Sequence, residues 1–113
     1  MRVEVRKLTV MYVPIMKVAE LPGPGEMKAV EEEGYELLVA NVEGRYFVFS
    51  SSCPHQGADL SWGALVGQRV RCGNHGYLYD LETGNCLMTG GEERLTVMQS
   101  EQQGEELCLR LEF

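Results

Sequence analysis

The chain holds only two histidines, and each stands within three residues of a cysteine: Cys53-Pro54-His55 and, after residues 56–71, Cys72-Gly73-Asn74-His75. No other feature constrains the fold as much. Two thiols and two imidazoles act together only when the segments carrying them end as neighbouring loops. Thiolates suit soft or borderline metals and imidazole suits iron, zinc or copper, so the four side chains make a competent ligand set. One Cys and one His per loop also lets the thiolates hold one metal and the imidazoles another, if the loops form matching hairpin tips. A structural Cys2His2 zinc site uses the same ligand types in a tetrahedron. Such sites usually space their ligands as C-x(2–4)-C and H-x(3–5)-H, whereas a single residue separates Cys53 from His55.

The pattern around the loops is that of a sheet. Short apolar runs separated by Gly-rich turns recur, and no long stripe of period 3.6 appears, which predicts an all-β domain. Residues 36–42 and 45–49 flank Glu43-Gly44 and read as a β-hairpin. Leu107, Leu109, Leu111 and Phe113 alternate with Cys108, Arg110 and Glu112, so a half-buried strand is expected there, paired with 95–99 across Gln102-Gln103-Gly104. Further strands are expected at 3–13, 27–31 and 68–71, with a loop at Pro22-Gly23-Pro24-Gly25 and one helical turn at 17–21. Residues 50–67, rich in Ser, Gly and polar side chains, and residues 72–76 are the two loops that must face each other. With 113 residues and no repeat or linker, the chain is expected to form a single domain over 1–113.

A formal net charge of −7 with ten scattered basic residues argues against nucleic acid, because phosphate binding needs clustered Lys and Arg. The acid serves solubility or docking onto a basic protein patch. Met1-Arg2-Val3-Glu4-Val5-Arg6-Lys7 lacks the apolar stretch of a signal peptide, and no run approaches the ~20 residues of a membrane span, so a cytoplasmic protein without membrane association is expected. In that reducing compartment, cysteines at metal-ligand spacing favour metal over disulfide. The spare Cys86 and Cys108 are expected as small apolar fillers. Trp62 is expected to pack beneath the loops rather than face a partner, and Glu31-Glu32-Glu33 to form a solvated turn.

The two loops resemble those of the Rieske iron–sulfur family. The matching residues are Cys53-Pro54-His55-Gln56-Gly57-Ala58 and Cys72-Gly73-Asn74-His75-Gly76-Tyr77, followed by Tyr79-Asp80 and Thr83-Gly84. The likeness extends more weakly over about residues 13–113. It implies an antiparallel β-sandwich or barrel with a small cluster-binding lobe at about 51–88. It also implies one [2Fe–2S] cluster, with Cys53 and Cys72 on the buried iron and His55 and His75 on the outer iron. Rieske proteins of respiratory complexes carry a further cysteine in each loop; here those positions are Ala58 and Asn74. They also place a hydrogen-bonding Ser where this chain has Tyr77, while Tyr79 matches a second hydrogen-bonding position.

These departures make the chain similar to the ferredoxins that feed bacterial oxygenases, with a potential toward the low end of the roughly −150 to +300 mV Rieske range. The resemblance implies a one-electron carrier between a reductase and a terminal oxygenase or similar redox enzyme. No nucleophile–base pair suggests catalysis by the chain itself. The stretch Leu87-Met88-Thr89-Gly90-Gly91 lacks the proline of the family's third loop, so a looser or missing third loop is expected. The other readings are a Rieske-like accessory subunit of a nitrite reductase or another redox enzyme and, from a different class, a zinc-stabilised interaction module.

Overall fold

Two tight turns set the register of the central sheet in the computed structural model, which describes residues 9–74, 76–88 and 92–113. Glu33-Gly34 and Glu43-Gly44 have φ of 49° and 84°, and of 52° and 89°. Positive φ at both central residues matches the right-handed twist of the flanking strands. The first turn joins β2 (Met27–Glu32) to β3 (Tyr35–Val42) and the second joins β3 to β4 (Arg45–Ser50). Val42 pairs with Arg45, as expected for the 36–49 hairpin.

The described residues form three antiparallel sheets. The central one has order β2-β3-β4-β8, with β8 at Val97–Met98. A second sheet, order β1-β10-β9, is formed by β1 (Val10–Lys17), β9 (Ser100–Gln103) and β10 (Glu106–Glu112). The third and smallest, order β5-β6-β7, contains Ala64–Leu65, Arg69–Arg71 and Leu78–Asp80. Among the described residues, helix is confined to the 3-10 turns Val18–Glu20 and Leu60–Trp62.

The central strands are buried on both faces, and their alternation decides what lies on each. Leu37, Val39 and Val48 pack with Ile15, Met16, Leu107 and Leu109 of the β1-β10-β9 sheet. Leu38, Ala40, Phe47 and Phe49 point the other way, into a core shared with Cys53, Leu60, Val70, Cys72, Tyr79, Leu81 and Leu95. The apolar contacts that bind the small sheet to the domain therefore also enclose both motif cysteines.

Asn41 is the one buried polar side chain among the described residues. Its Nδ2 donates to the Pro22 carbonyl at 2.9 Å, and its Oδ1 accepts from the Gly44 N–H at 2.8 Å. It thereby ties the Pro-Gly loop to the β3–β4 turn. Asn41→Ala is expected to cost about 1–3 kcal/mol, the usual penalty for leaving buried partners unsatisfied. Urea unfolding checks this as a lower midpoint with an unchanged slope.

Two strand assignments need correction. The strand expected at 3–13 is β1, which begins at Val10 and continues to Lys17; residues 1–8 lie outside the described residues. Pro14 does not stop it, because β1 is an edge strand and its register against β10 shifts between Pro14 and Met16, where a missing donor is tolerated. The partner of the C-terminal strand is also different. β10 pairs with Ser100–Gln103 across Gly104-Glu105, whereas Val97–Met98 pairs with β4 in the central sheet. The chain changes sheets at Gln99, a corner that periodicity does not reveal. Its alternation also outruns the core: Leu107, Cys108 and Leu109 are buried, while Phe113 is 70% exposed. At that end Thr9 and Phe113 exchange backbone hydrogen bonds of 3.2 and 2.9 Å.

Candidate metal centre

The two motif loops have one and the same backbone design. In the first, the Cys53 N–H donates to the Ala58 carbonyl at 2.7 Å and the Gly57 N–H to the Cys53 carbonyl at 2.7 Å. In the second, the Cys72 N–H donates to the Tyr77 carbonyl at 2.7 Å and the Gly76 N–H to the Cys72 carbonyl at 2.9 Å. Both loops close on a glycine with positive φ, 72° at Gly57 and 71° at Gly76, a conformation that a β-carbon would strain. The four-residue spacing from each Cys to its Gly is visible in the sequence; the equivalence of the loops appears only in the fold.

Glycine also lets the lobe close up. A β-carbon on Gly63 would lie 2.0 Å from the Arg71 carbonyl oxygen, and one on Gly73 would lie 2.9 Å from that of Trp62. The Leu60–Trp62 turn therefore sits backbone to backbone against the Cys72 loop. Asp59 fixes the turn by accepting from the Ser61 N–H at 2.9 Å. Trp62 does not pack beneath the loops as expected but is 84% exposed, since the close approach of main chains leaves no room for an indole between them.

Cys53 and Cys72 are almost fully buried, at 2% and 1% exposure. Tyr79, also buried, brings its Oη within 3.5 Å of Cys53 Sγ. Burial pushes the Cys53 thiol up, but hydrogen bonds from Tyr79, the His55 and Gln56 main chain and Cys72 outweigh it and hold the thiol below its ordinary value. The Tyr79 hydroxyl is pushed well above its usual range by burial first and Cys53 second, with Cys86 and Glu93 adding to the effect. It remains a neutral hydrogen-bond donor.

His55 is half-buried at the lobe's edge. Its ring packs against Tyr77 with centroids 4.2 Å apart, and its Nδ1 lies 3.5 Å from Glu93 Oε1. Both neighbours escaped the sequence: Tyr77 stood out only as a departure from a serine, and Glu93 is 38 positions away with no motif around it. The Glu93 carboxyl is held below the usual range by its own backbone N–H and then by His55. His75 and, in the proline-free stretch, residues 89–91 lie outside the described residues. Cys86 is half-buried against the core that holds Cys53 and Cys72, Cys108 is buried, and neither forms a disulfide.

Thiol and imidazole donors of this kind fit a mixed-ligand two-metal cluster. Two soft thiols share a buried core with the Tyr79 hydroxyl, while the imidazole of His55 stands half-buried beside Tyr77. No helix among the described residues is long and apolar enough to cross a membrane.

Residues 11–99 match the family described as the Rieske [2Fe-2S] domain. The chain is 26% identical over 104 residues to the ferredoxin component of the naphthalene 1,2-dioxygenase system of Pseudomonas aeruginosa, covering 92% of this chain and 99% of that protein. It is 31% identical over 86 residues to apoptosis-inducing factor 3 of Mus musculus, covering 76% of this chain but only 14% of the mouse protein's length. Among solved structures, the Sphingomonas yanoikuyae B1 ferredoxin superposes with a TM-score of 0.79 at 26% identity, over 89% of this chain and 99% of that one.

Proposed function

Since the chain belongs to the Rieske [2Fe–2S] domain family, we propose that Cys53, His55, Cys72 and His75 hold its one cluster, and that it carries single electrons from a reductase to a terminal oxygenase or similar redox enzyme. The observation that carries this is the matched pair of loops, each presenting a buried cysteine from the same hydrogen-bonded frame. When bound, the cluster supplies one-electron chemistry, and imidazoles in place of two thiolates raise its potential above that of all-Cys ferredoxins.

The chain's own residues have separate tasks. Cys53 and Cys72 hold the buried side as thiolates, which the hydrogen bonds on Cys53 favour. His55, steadied by Tyr77, stands at the rim, the side that a partner can approach, and His75 is its proposed fellow ligand on the outer iron. Four protein ligands leave the site coordinatively full, so the domain transfers electrons and transforms no substrate. The oxygenase partner rests on the likeness to a dioxygenase ferredoxin component over nearly its whole length. The unpaired Cys86 and Cys108 suit a reducing compartment, hence the cytoplasm. Residues 1–113 are taken as one domain, with the cluster lobe at about 51–88.

The test is metal and sulfide analysis of the purified protein with electron paramagnetic resonance of its reduced form. Two irons and two sulfides per chain with a Rieske-type signal are expected. A colourless protein with stoichiometric zinc would refute the proposal. Transfer is tested by adding a reductase and an oxygenase and following oxygenase turnover.

Tyr79 gives a finer prediction. Its hydroxyl touches Cys53 Sγ, and a hydrogen bond to a charged group contributes about 1.5–3 kcal/mol. Only the part gained on reduction counts, and ~1.4 kcal/mol corresponds to about 59 mV for one electron. Tyr79→Phe should therefore lower the midpoint potential by several tens of millivolts in protein-film voltammetry, with the visible spectrum retained.

A further inference from the structure

Glu93 leaves the main chain at a well-anchored point. The next residue, Arg94, forms a β-bridge with Asn85, and Leu95 is buried with its N–H donating to the Gly84 carbonyl at 2.8 Å. From there the carboxylate reaches within 3.5 Å of His55 Nδ1. A carboxylate so placed stands beside the imidazole edge of the ligand set.

We propose that Glu93 is a potential-setting residue whose fixed negative charge beside His55 disfavours reduction of the bound cluster. This rests on the ligand assignment proposed above. Reduction adds one negative charge to the site, and a neighbouring carboxylate opposes it. Glu93 is partly exposed, so solvent screens the effect. At such separations the reduction equilibrium should shift by roughly threefold to tenfold, a tenfold change being ~59 mV for one electron.

The experiment is voltammetry on the cluster-loaded protein. Glu93→Gln should raise the midpoint by that amount, and raising the ionic strength to about 1 M should shrink the difference, because the screening length falls to about 3 Å. Glu93→Ala removes the charge without supplying an amide to His55 and should give the same rise, while Glu93→Asp should stay near the wild type. Glu101→Gln, the same charge change on β9 outside the lobe, should leave the potential unmoved. An unchanged midpoint in Glu93→Gln and Glu93→Ala with the cluster spectrum intact would overturn this inference alone. So would a rise that Glu101→Gln reproduces or that salt does not diminish. A wild type without the cluster would overturn the proposed function and this inference with it.

Discussion

Cys72→Ala is expected to yield a purified protein without [2Fe–2S] absorption and with iron near background. Cys72 is 1% exposed and shares its core with Cys53 and Tyr79, so solvent oxygen does not reach in to replace the lost thiolate. Iron left with an open position in such a site is released during assembly. Loss of the cluster also removes its binding energy from folding, so the variant should unfold at lower urea than the loaded wild type. Cys86→Ala and Cys108→Ala make the comparison specific. Both remove a thiol, Cys86 even from against the same core, yet both should stay coloured with two irons per chain. Retention of the full spectrum by Cys72→Ala, or its loss in Cys86→Ala, would mean that the ligands have been assigned wrongly.

Gly63→Ala should be nearly as damaging, although it touches no proposed ligand. The new methyl group would stand 2.0 Å from the Arg71 carbonyl oxygen and 3.1 Å from that of Leu60. Both are main-chain atoms and cannot swing aside. Arg71 pairs with Ala64 and Leu78 in the small sheet and immediately precedes Cys72, so relieving the clash must move the second loop. Overpacking usually costs about 1–3 kcal/mol and occasionally more. With rigid backbone on both sides, about 3 kcal/mol or more is expected, together with faster loss of visible absorption on standing. Gly67→Ala is the reference. Gly67 has a φ of 60° and nothing within 4 Å of a β-carbon, so it should lose only about 1–2 kcal/mol to left-handed backbone strain. Equal stability and equal cluster retention in the two variants would show that the close approach at Gly63 does not position the loop.

How far the sequence reached depended on the range of the signal. Glu43-Gly44 between apolar runs specified a hairpin because turn chemistry is local, and the strand at Arg69–Arg71 was legible for the same reason. The cysteine–histidine spacing identified the loops, since metal ligation demands particular side chains at particular intervals. Where the outcome depended on distant chain segments, legibility failed. Nothing near Gln99 announces that the chain leaves one sheet for another. Trp62 is apolar enough to suggest a core residue, and only the Gly63–Arg71 contact explains why it is outside. Glu93 is one glutamate among many until the fold brings it to His55.

The pairing of Thr9 with Phe113 has a practical consequence for wiring the molecule to something else. Both residues sit on the sheet that packs against the central sheet's far face from the cluster lobe. A tether, fusion partner or electrode linker attached beyond either residue departs from the face opposite the lobe and leaves the lobe free for electron exchange. Because the two positions form one directly opposed pair of the ladder, a short loop in place of residues 1–8 could also join them. The circle could then be reopened at Gly104-Glu105, giving a circular permutant with the same sheet order and neither ligand loop cut.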